Sequence, residues 1–471
     1  MLNQSLSKEG AGVPRRNVRR YAIWLLRGRS PRSMFSPERS RGEVNSGEGH
    51  RHPPPAIATE LSQTGMLFRL GGMDTKRKAV VVGGGPAGLT AAGRLAEGGF
   101  ETVLLEGSSH LGGRAASEWR DGFFLNQGPH ALYVGGPARR ELEAMEIKLD
   151  WWQPASAASV FVRDGKARRM LGGEPALARW LLEIARADPA ELADVSVAEW
   201  LRRSLRSEKA RQSAGALVRV ATFVADHERF SADAAVTQLK TVLVPGVRYL
   251  RGGWQSLVDA LAERAKREGA VLRTRAGVRS VERDGAGWTV GLDEETLRTD
   301  VLVVAAGGPD AVEKVLGELA PAAPGPAAEL SVLDLGLTKL PRRGRRFALG
   351  IDQPTYLSRH SPPDHPDGVL LSLASYRREP CAALEAMADA VQPGWREHLK
   401  MQRFLPRMVA VSAIATPANG GLGGRPSVEQ GDGLYLAGDW IGPEGWLVDS
   451  AISSGSAAAA AALRSQAPVT A

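Results

Sequence analysis

One cysteine, Cys381, stands in 471 residues. A lone thiol excludes an internal disulfide and a cysteine-cluster metal site. Its distance from the glycine motifs described below leaves little scope for a thiol-linked cofactor. Nor is there a run approaching the ~18–20 apolar residues that cross a bilayer. The body of the chain also lacks an excess of either charge. The formal net charge is +8, but residues 1–72 hold Lys8 and eleven arginines against five glutamates, so +7 of it sits there. The high pI belongs to this leading stretch, which gives no ground for expecting a nucleic-acid surface. Length and an apolar content of 43% imply a large core and two or three domains.

Residues 1–72 are rich in Arg, Ser, Pro and Gly without sustained periodicity and read as a disordered extension. Arg19-Arg20 ahead of a short apolar stretch resembles a twin-arginine signal, but Arg27 interrupts the apolar core after six residues. A non-functional extension, a targeting segment and a tether stay open. Met73 stands just before the first strand-like run.

That run, Ala79 to Val82, leads into Gly83-Gly84-Gly85-Pro86-Ala87-Gly88. An amphipathic small-residue segment follows, with Leu89, Ala92 and Ala96 on one face, and a second apolar run ends on Glu106. The order is strand, glycine turn, helix, strand, acid. Gly83 allows the tight turn, Gly85 lets a pyrophosphate approach the backbone, and Gly88 lets the helix pack closely on the strand. Pro86 and Ala87 open the helix, whose free N–H groups and positive end suit phosphates. Glu106 lies where an acid takes ribose hydroxyls, and its charge argues against a 2′-phosphate there, hence against NADP. Strand, helix, spacing and acid agree on a dinucleotide site.

Beyond the acid, five residues lead to Gly112-Gly113-Arg114. This continuation resembles the superfamily of flavin-containing amine oxidases, phytoene desaturases and protoporphyrinogen oxidases. The resemblance implies FAD at the first site, with Gly113 and Arg114 at its pyrophosphate and Arg114 using its fork of donors. It also implies that Asn126-Gln127-Gly128-Pro129-His130 passes near the flavin ring. His130 could be a ring neighbour or a base, and one histidine without a visible partner more often has a structural place. The backbone at Val278 would hold the adenine. The last motif, Tyr435-Leu436-Ala437-Gly438-Asp439-Trp440, then Gly445-Trp446-Leu447-Val448-Asp449 and an alanine-rich helix, resembles the family's terminal FAD segment. Gly438 ends its strand, and Asp439 would bind ribityl or pyrophosphate-side hydroxyls. The amides around Leu447 and Val448 would face the N1–C2 carbonyl edge of the flavin. A positive helix end there would favour negative charge on the reduced flavin by about 1 kcal/mol or more.

Between these ends the composition changes. Asp164-Gly165 marks a hairpin within 159–166. Residues 174–241 carry helical spacing, with Ser196 as an N-cap. A helix is expected from Gly252 to about Gly269 and another from about Ala382 to Val391, and Pro321–Pro326 reads as a linker. His360, Asp364 and His365 lie in a proline-rich loop that does not suit a metal. The expected fold is α/β: a Rossmann-type FAD-binding domain (73–150, 251–310 and 426–471) interleaved with an α+β substrate domain (151–250 and 311–425). The resemblance implies two-electron dehydrogenation or desaturation of a small apolar substrate, such as an isoprenoid, with hydride passing to flavin N5. Amine or protoporphyrinogen oxidation on the same scaffold stays open, as does a flavin-free prenyl-binding module. The lysine and aromatic pair of amine oxidases cannot be placed, and no catalytic residue is named. The electron acceptor, the oligomeric state and a peripheral membrane contact stay open; a cytoplasmic location is expected.

Overall fold

The computed structural model describes residues 76–154, 159–169, 175–243 and 246–465. The readings made above for residues 1–72 lie outside them.

Strand β1 (Lys78–Val82) feeds the glycine turn, helix α1 (Pro86–Glu97) follows, and β2 (Glu101–Leu105) returns beside β1 in parallel. A two-stranded ribbon of Ser117–Arg120 and Phe123–Asn126 comes next, then helix α2 (Pro137–Ala144). After an excursion of more than a hundred residues the chain rejoins the sheet as β3 (Val271–Arg273) and β4 (Val301–Val304). It returns once more as β5 (Leu434–Leu436) and helix α3 (Val448–Arg464). The sheet order is β3-β2-β1-β4-β5, all parallel, with Glu429–Gly431 antiparallel at the far edge. Every residue of β4 is buried, as an apolar run in a sheet covered on both faces should be. One face packs on α1, α3 and the helix Gln255–Arg267. The other carries Trp288, Val290 and Ile441 from the three-stranded sheet of residues 280–299 and the last loop.

The second sheet has seven strands in the order Leu399–Val411, Ala328–Leu337, Val369–Ser375, Thr355–Arg359, Phe347–Gly350, Ser159–Arg163 and Lys166–Arg169. Its pairs are antiparallel except Phe347–Gly350 with Ser159–Arg163. The hairpin 159–169 therefore completes a sheet whose other strands lie far along the chain. Its turn has φ of +50° at Asp164 and +66° at Gly165, as an Asp-Gly hairpin requires. Helices Pro175–Ile184, Val197–Ser204, Glu208–Thr222 and Ala232–Leu243 build a separate cap with its own apolar core, and Ser196 caps its helix by accepting from the Glu199 N–H. Cys381 opens the helix Cys381–Val391, beside Glu385 and Gln402 and remote from the cleft. No helix among the described residues is long and apolar enough to cross a membrane.

Candidate functional site: a cleft closed by both ends of the chain

A cavity of about 970 Å³ runs along the carboxyl ends of β1, β4 and β5 and continues under the second sheet. This is where an open parallel sheet places its ligand. On its near side Gly83, at φ +108°, turns the chain out of β1. Gly88 stands behind the turn: a Cβ there would come within 1.9 Å of the Gly83 carbonyl, so glycine sets the closeness of helix to strand. Gly85 is the open position. A Cβ on it would meet nothing nearer than the Gly112 carbonyl at 3.9 Å, which leaves a backbone-walled cradle at the start of α1. Glu106 organises the loop: its carboxylate accepts from the Gly84 N–H at 2.7 Å and from the Ser108 N–H at 2.8 Å, while lining the cavity.

The far side joins at Arg114. Its guanidinium donates to both oxygens of Asp439, at 2.6 and 3.1 Å, across 325 positions of sequence. Ser412 completes the carboxylate through its N–H at 2.9 Å and its hydroxyl at 2.7 Å. Burial alone would raise the Asp439 carboxyl, but the Arg114 charge and the Ser412 bonds hold it below the usual range. Burial would likewise lower Arg114, and Asp439 more than offsets it. The Asp439 side chain is thus engaged by protein donors and acts here as a clamp between the two ends of the chain. Reaching a ribityl or pyrophosphate-side hydroxyl, as expected from the sequence, would mean sharing acceptors it already fills.

Most of the expected residues meet at this cavity: Gly83, Gly85, Pro86, Ala87, Glu106, Gly113, Arg114, Pro129, His130, Gly438, Asp439, Leu447 and Val448 all line it. Three stand back. Gly88 does so for the reason given. Gly128 turns its Cβ position toward the second sheet, where a Cβ would lie 2.5 Å from Met408 Cε, while its neighbours Gln127 and Pro129 line the cavity. The Val278 side chain packs against the core on the outer face of the first sheet, and its neighbour Gly277 faces Gly107, which puts this stretch of backbone at the Glu106 end. His130 Nδ1 bonds the Gly128 carbonyl at 2.9 Å, and the ring tilts against Trp254 at 4.8 Å. Burial, assisted by the Arg114 charge and opposed by the Gly128 bond, pulls its pKa to about 4. It is a neutral fastening of the 126–130 loop and a poor base at neutral pH.

The loop before α3 takes its shape from a residue that the sequence did not disclose. Leu447 caps α3 at φ +56°, ψ −129°, a conformation that costs a side-chain-bearing residue about 1–3 kcal/mol. Buried Arg425 over-determines it, donating to the carbonyls of Asp439 at 3.2 Å and Gly445 at 2.7 Å and to Ser450 Oγ at 2.9 Å. Burial lowers the Arg425 pKa to about 10. Trp446 is fully buried and donates to the Thr222 carbonyl at 2.9 Å, and Trp440 donates to the Gly307 carbonyl at 2.8 Å. Both tryptophans are packing anchors, and neither lines the cavity. The segment expected as a linker contributes Ala323, Gly325 and Pro326 to the cavity rim. Ser412 and Arg425 lie in stretches with no motif around them, and only the fold brings them to the site.

A parallel sheet with a glycine turn at each end of the chain, both facing one elongated cleft with an acid at its β2 end, defines a dinucleotide-binding flavoprotein fold. The model of the flavin-containing amine oxidoreductases matches residues 86–334, more than half of the chain, and the chain belongs to that family. FAD and the oxidoreductase class come with this membership, and the open cradle at Gly85 beside Glu106 fits the cofactor. A Mycobacterium tuberculosis protein assigned as a flavin-containing monoamine oxidase is 28% identical over 260 residues, 48% of this chain and 56% of the relative. The phytoene desaturase of Fusarium fujikuroi is 26% identical over 263 residues, 45% of each chain. The chain thus matches about half the length of these curated relatives. A redesigned putrescine oxidase superposes with a TM-score of 0.65 at 19% identity over 83% of this chain and 99% of that one, a likeness of fold.

Proposed function

We propose that the chain is an FAD-dependent dehydrogenase or desaturase acting on a small apolar substrate. The carrying observation is the wall of the cleft beyond His130. Tyr133, Phe223, Trp254, Met408 and Leu447 line it, and no lysine is among the described lining residues. An apolar, aromatic wall binds by excluding water, which suits a hydrocarbon-like substrate better than a cation.

FAD, when bound, supplies the two-electron chemistry by accepting hydride equivalents. The residues around it bind, orient and exclude. The cradle at Gly85 and the first turn of α1 would take the pyrophosphate, and Glu106 the ribose. The N–H groups at the start of α3 would meet the ring edge where charge develops. Trp254 and Phe223 keep water out of the reacting end. His130, neutral and tied to a carbonyl, holds the loop rather than a proton in transit.

A second reading, amine oxidation, has its own support in the 28% identity to the monoamine oxidase relative, against 26% to the desaturase. A flavin-free prenyl carrier is disfavoured by a cradle that keeps Glu106 and Arg114 at the cleft. The electron acceptor and any peripheral contact with a membrane would follow from the substrate. Anaerobic mixing of the yellow protein with isoprenoid hydrocarbons and with an amine panel separates the readings. Bleaching of the flavin band by the former alone is the expected result, and bleaching by amines alone replaces this reading with the second. Protein that stays colourless with added FAD overturns both.

A further inference from the structure

Asp449 is a buried acid that the expected cofactor contacts do not use. It lies in the first turn of α3, one residue beyond the cavity-lining Val448, and is fully buried. Its Oδ1 accepts the Ala138 N–H at 3.0 Å, in the first turn of α2. Its Oδ2 is buried with no hydrogen-bond partner. Gly136 is pressed against it so closely that a Cβ there would sit 2.2 Å from both oxygens. One carboxylate therefore stands between the positive ends of two helices, and one of those ends faces the cleft.

We propose that Asp449 is a positioning residue that couples proton uptake to the charge on the flavin, because its carboxylate sets the field that the first turn of α3 presents to the cleft. The inference rests on the FAD reading above. A protonated Asp449 leaves the helix end positive toward the ring; an ionised one cancels part of that field. Two-electron reduction of bound FAD with uptake of one proton would leave added negative charge in the cleft, and that charge would draw a further proton from solvent onto the Asp449 carboxylate.

The surroundings favour this coupling. Burial pushes the Asp449 carboxyl up to about 7, against the Ala138 bond and Arg140 that lower it and with Glu444 that raises it. Arg140 and Glu444 pair with each other at 2.8 Å on the exposed side of α2, so they largely cancel as seen from Asp449. On the inner side stand the Tyr133 hydroxyl, itself held neutral by burial, and Arg425, bonded to the adjacent Ser450.

The test is a potentiometric titration of the FAD-loaded protein with dithionite and mediators at several pH values from 5.5 to 8.5, for wild type and Asp449→Asn, with FAD affinity measured alongside. A tenfold change in the equilibrium constant of a two-electron couple is about 30 mV. The wild-type potential should fall more steeply across neutral pH than that of the asparagine variant, the two curves separating by about that amount. Asp449→Ser, which can still accept the Ala138 N–H, repeats the comparison where asparagine does not hold FAD. Curves that superimpose while FAD stays bound overturn this inference alone. A wild-type chain that takes up no FAD overturns the cofactor reading and this inference with it.

Discussion

The two walls of the cleft are built in opposite ways. On the wall of residues 79–114 the defining bonds are local: Glu106 reaches Gly84 over 22 positions, and Gly88 touches Gly83. On the wall of residues 410–450 bonds of that span, such as Arg425 to Gly445 and Ser450, are joined by far longer ones. Asp439 holds Arg114 over 325 positions, Trp446 holds Thr222 over 224, and the Leu422 N–H reaches Asp233 over 189. The first wall is a motif that carries its own geometry. The second carries no such motif and is tied as well to partners far along the chain.

The sharpest way to break the comparison is at the local wall. Gly88→Val forces a branched side chain into the Gly83 carbonyl, with no neighbour free to yield. Overpacking of this kind costs about 1–3 kcal/mol or more, and we expect colourless protein with a lowered denaturant midpoint. At the distant wall Asp449 gives an effect of comparable size, whose magnitude depends on pH. Its folded pKa of about 7 lies above its unfolded value near 3.8. The native state therefore binds more protons between the two, and stability falls as pH rises through that window. Asp449→Asn should remove this slope and stabilise the protein above pH 7 by up to about 4 kcal/mol, read from urea midpoints at pH 5 and 8. Equal gains at both pH values would refute it.

Arg114→Met tests the tie between the walls. It strands the buried Asp439 carboxylate and should cost about 2 kcal/mol, less than a fully buried pair because Arg114 opens to the cleft. Adding Asp439→Leu should recover stability without recovering flavin. Glu106→Gln should weaken FAD by about tenfold to a hundredfold, the loss expected for a charged hydrogen bond, and lower stability by about 1 kcal/mol because the amide can accept only one of the two backbone N–H bonds; fluorescence titration with FAD and a urea midpoint measure the two. At the rim, Arg407→Met removes an exposed pair with Glu329 and should shift stability by under about 1 kcal/mol. A larger change would mean that the rim helps hold the two sheets together.

The same contrast explains what could be read from the sequence. Strand, turn, helix and acid in 78–106 follow from residue types whose constraints act within a few positions. The caps and hairpins, such as Ser196 and Asp164-Gly165, were legible for the same reason. The terminal Gly438-Asp439 turn was legible through its resemblance, and the structure brings it to the first turn. What Asp439 binds was not legible, because its partners Ser412 and Arg114 are chosen by the fold. That Met408, on a strand nearly three hundred residues away, packs against Gly128 was not legible for the same reason. The linker at 321–326 proved to be cleft rim for the same reason: composition reports flexibility, not what a segment lies against. Arg425, a lone arginine among turn residues, carries no signal at all.

The Arg114–Asp439 clamp also orders events during synthesis. The glycine turn and α1 emerge early and can settle on β1 and β2, but the sheet lacks its fifth parallel strand, and the cradle its opposite bank, until the chain has grown past Val448. Domains fold largely as they leave the ribosome, so this one must wait with an open apolar trough for most of its translation. Cofactor capture is then a late, nearly terminal step, and a nascent chain stalled short of that point should be both flavin-free and the species most in need of a chaperone.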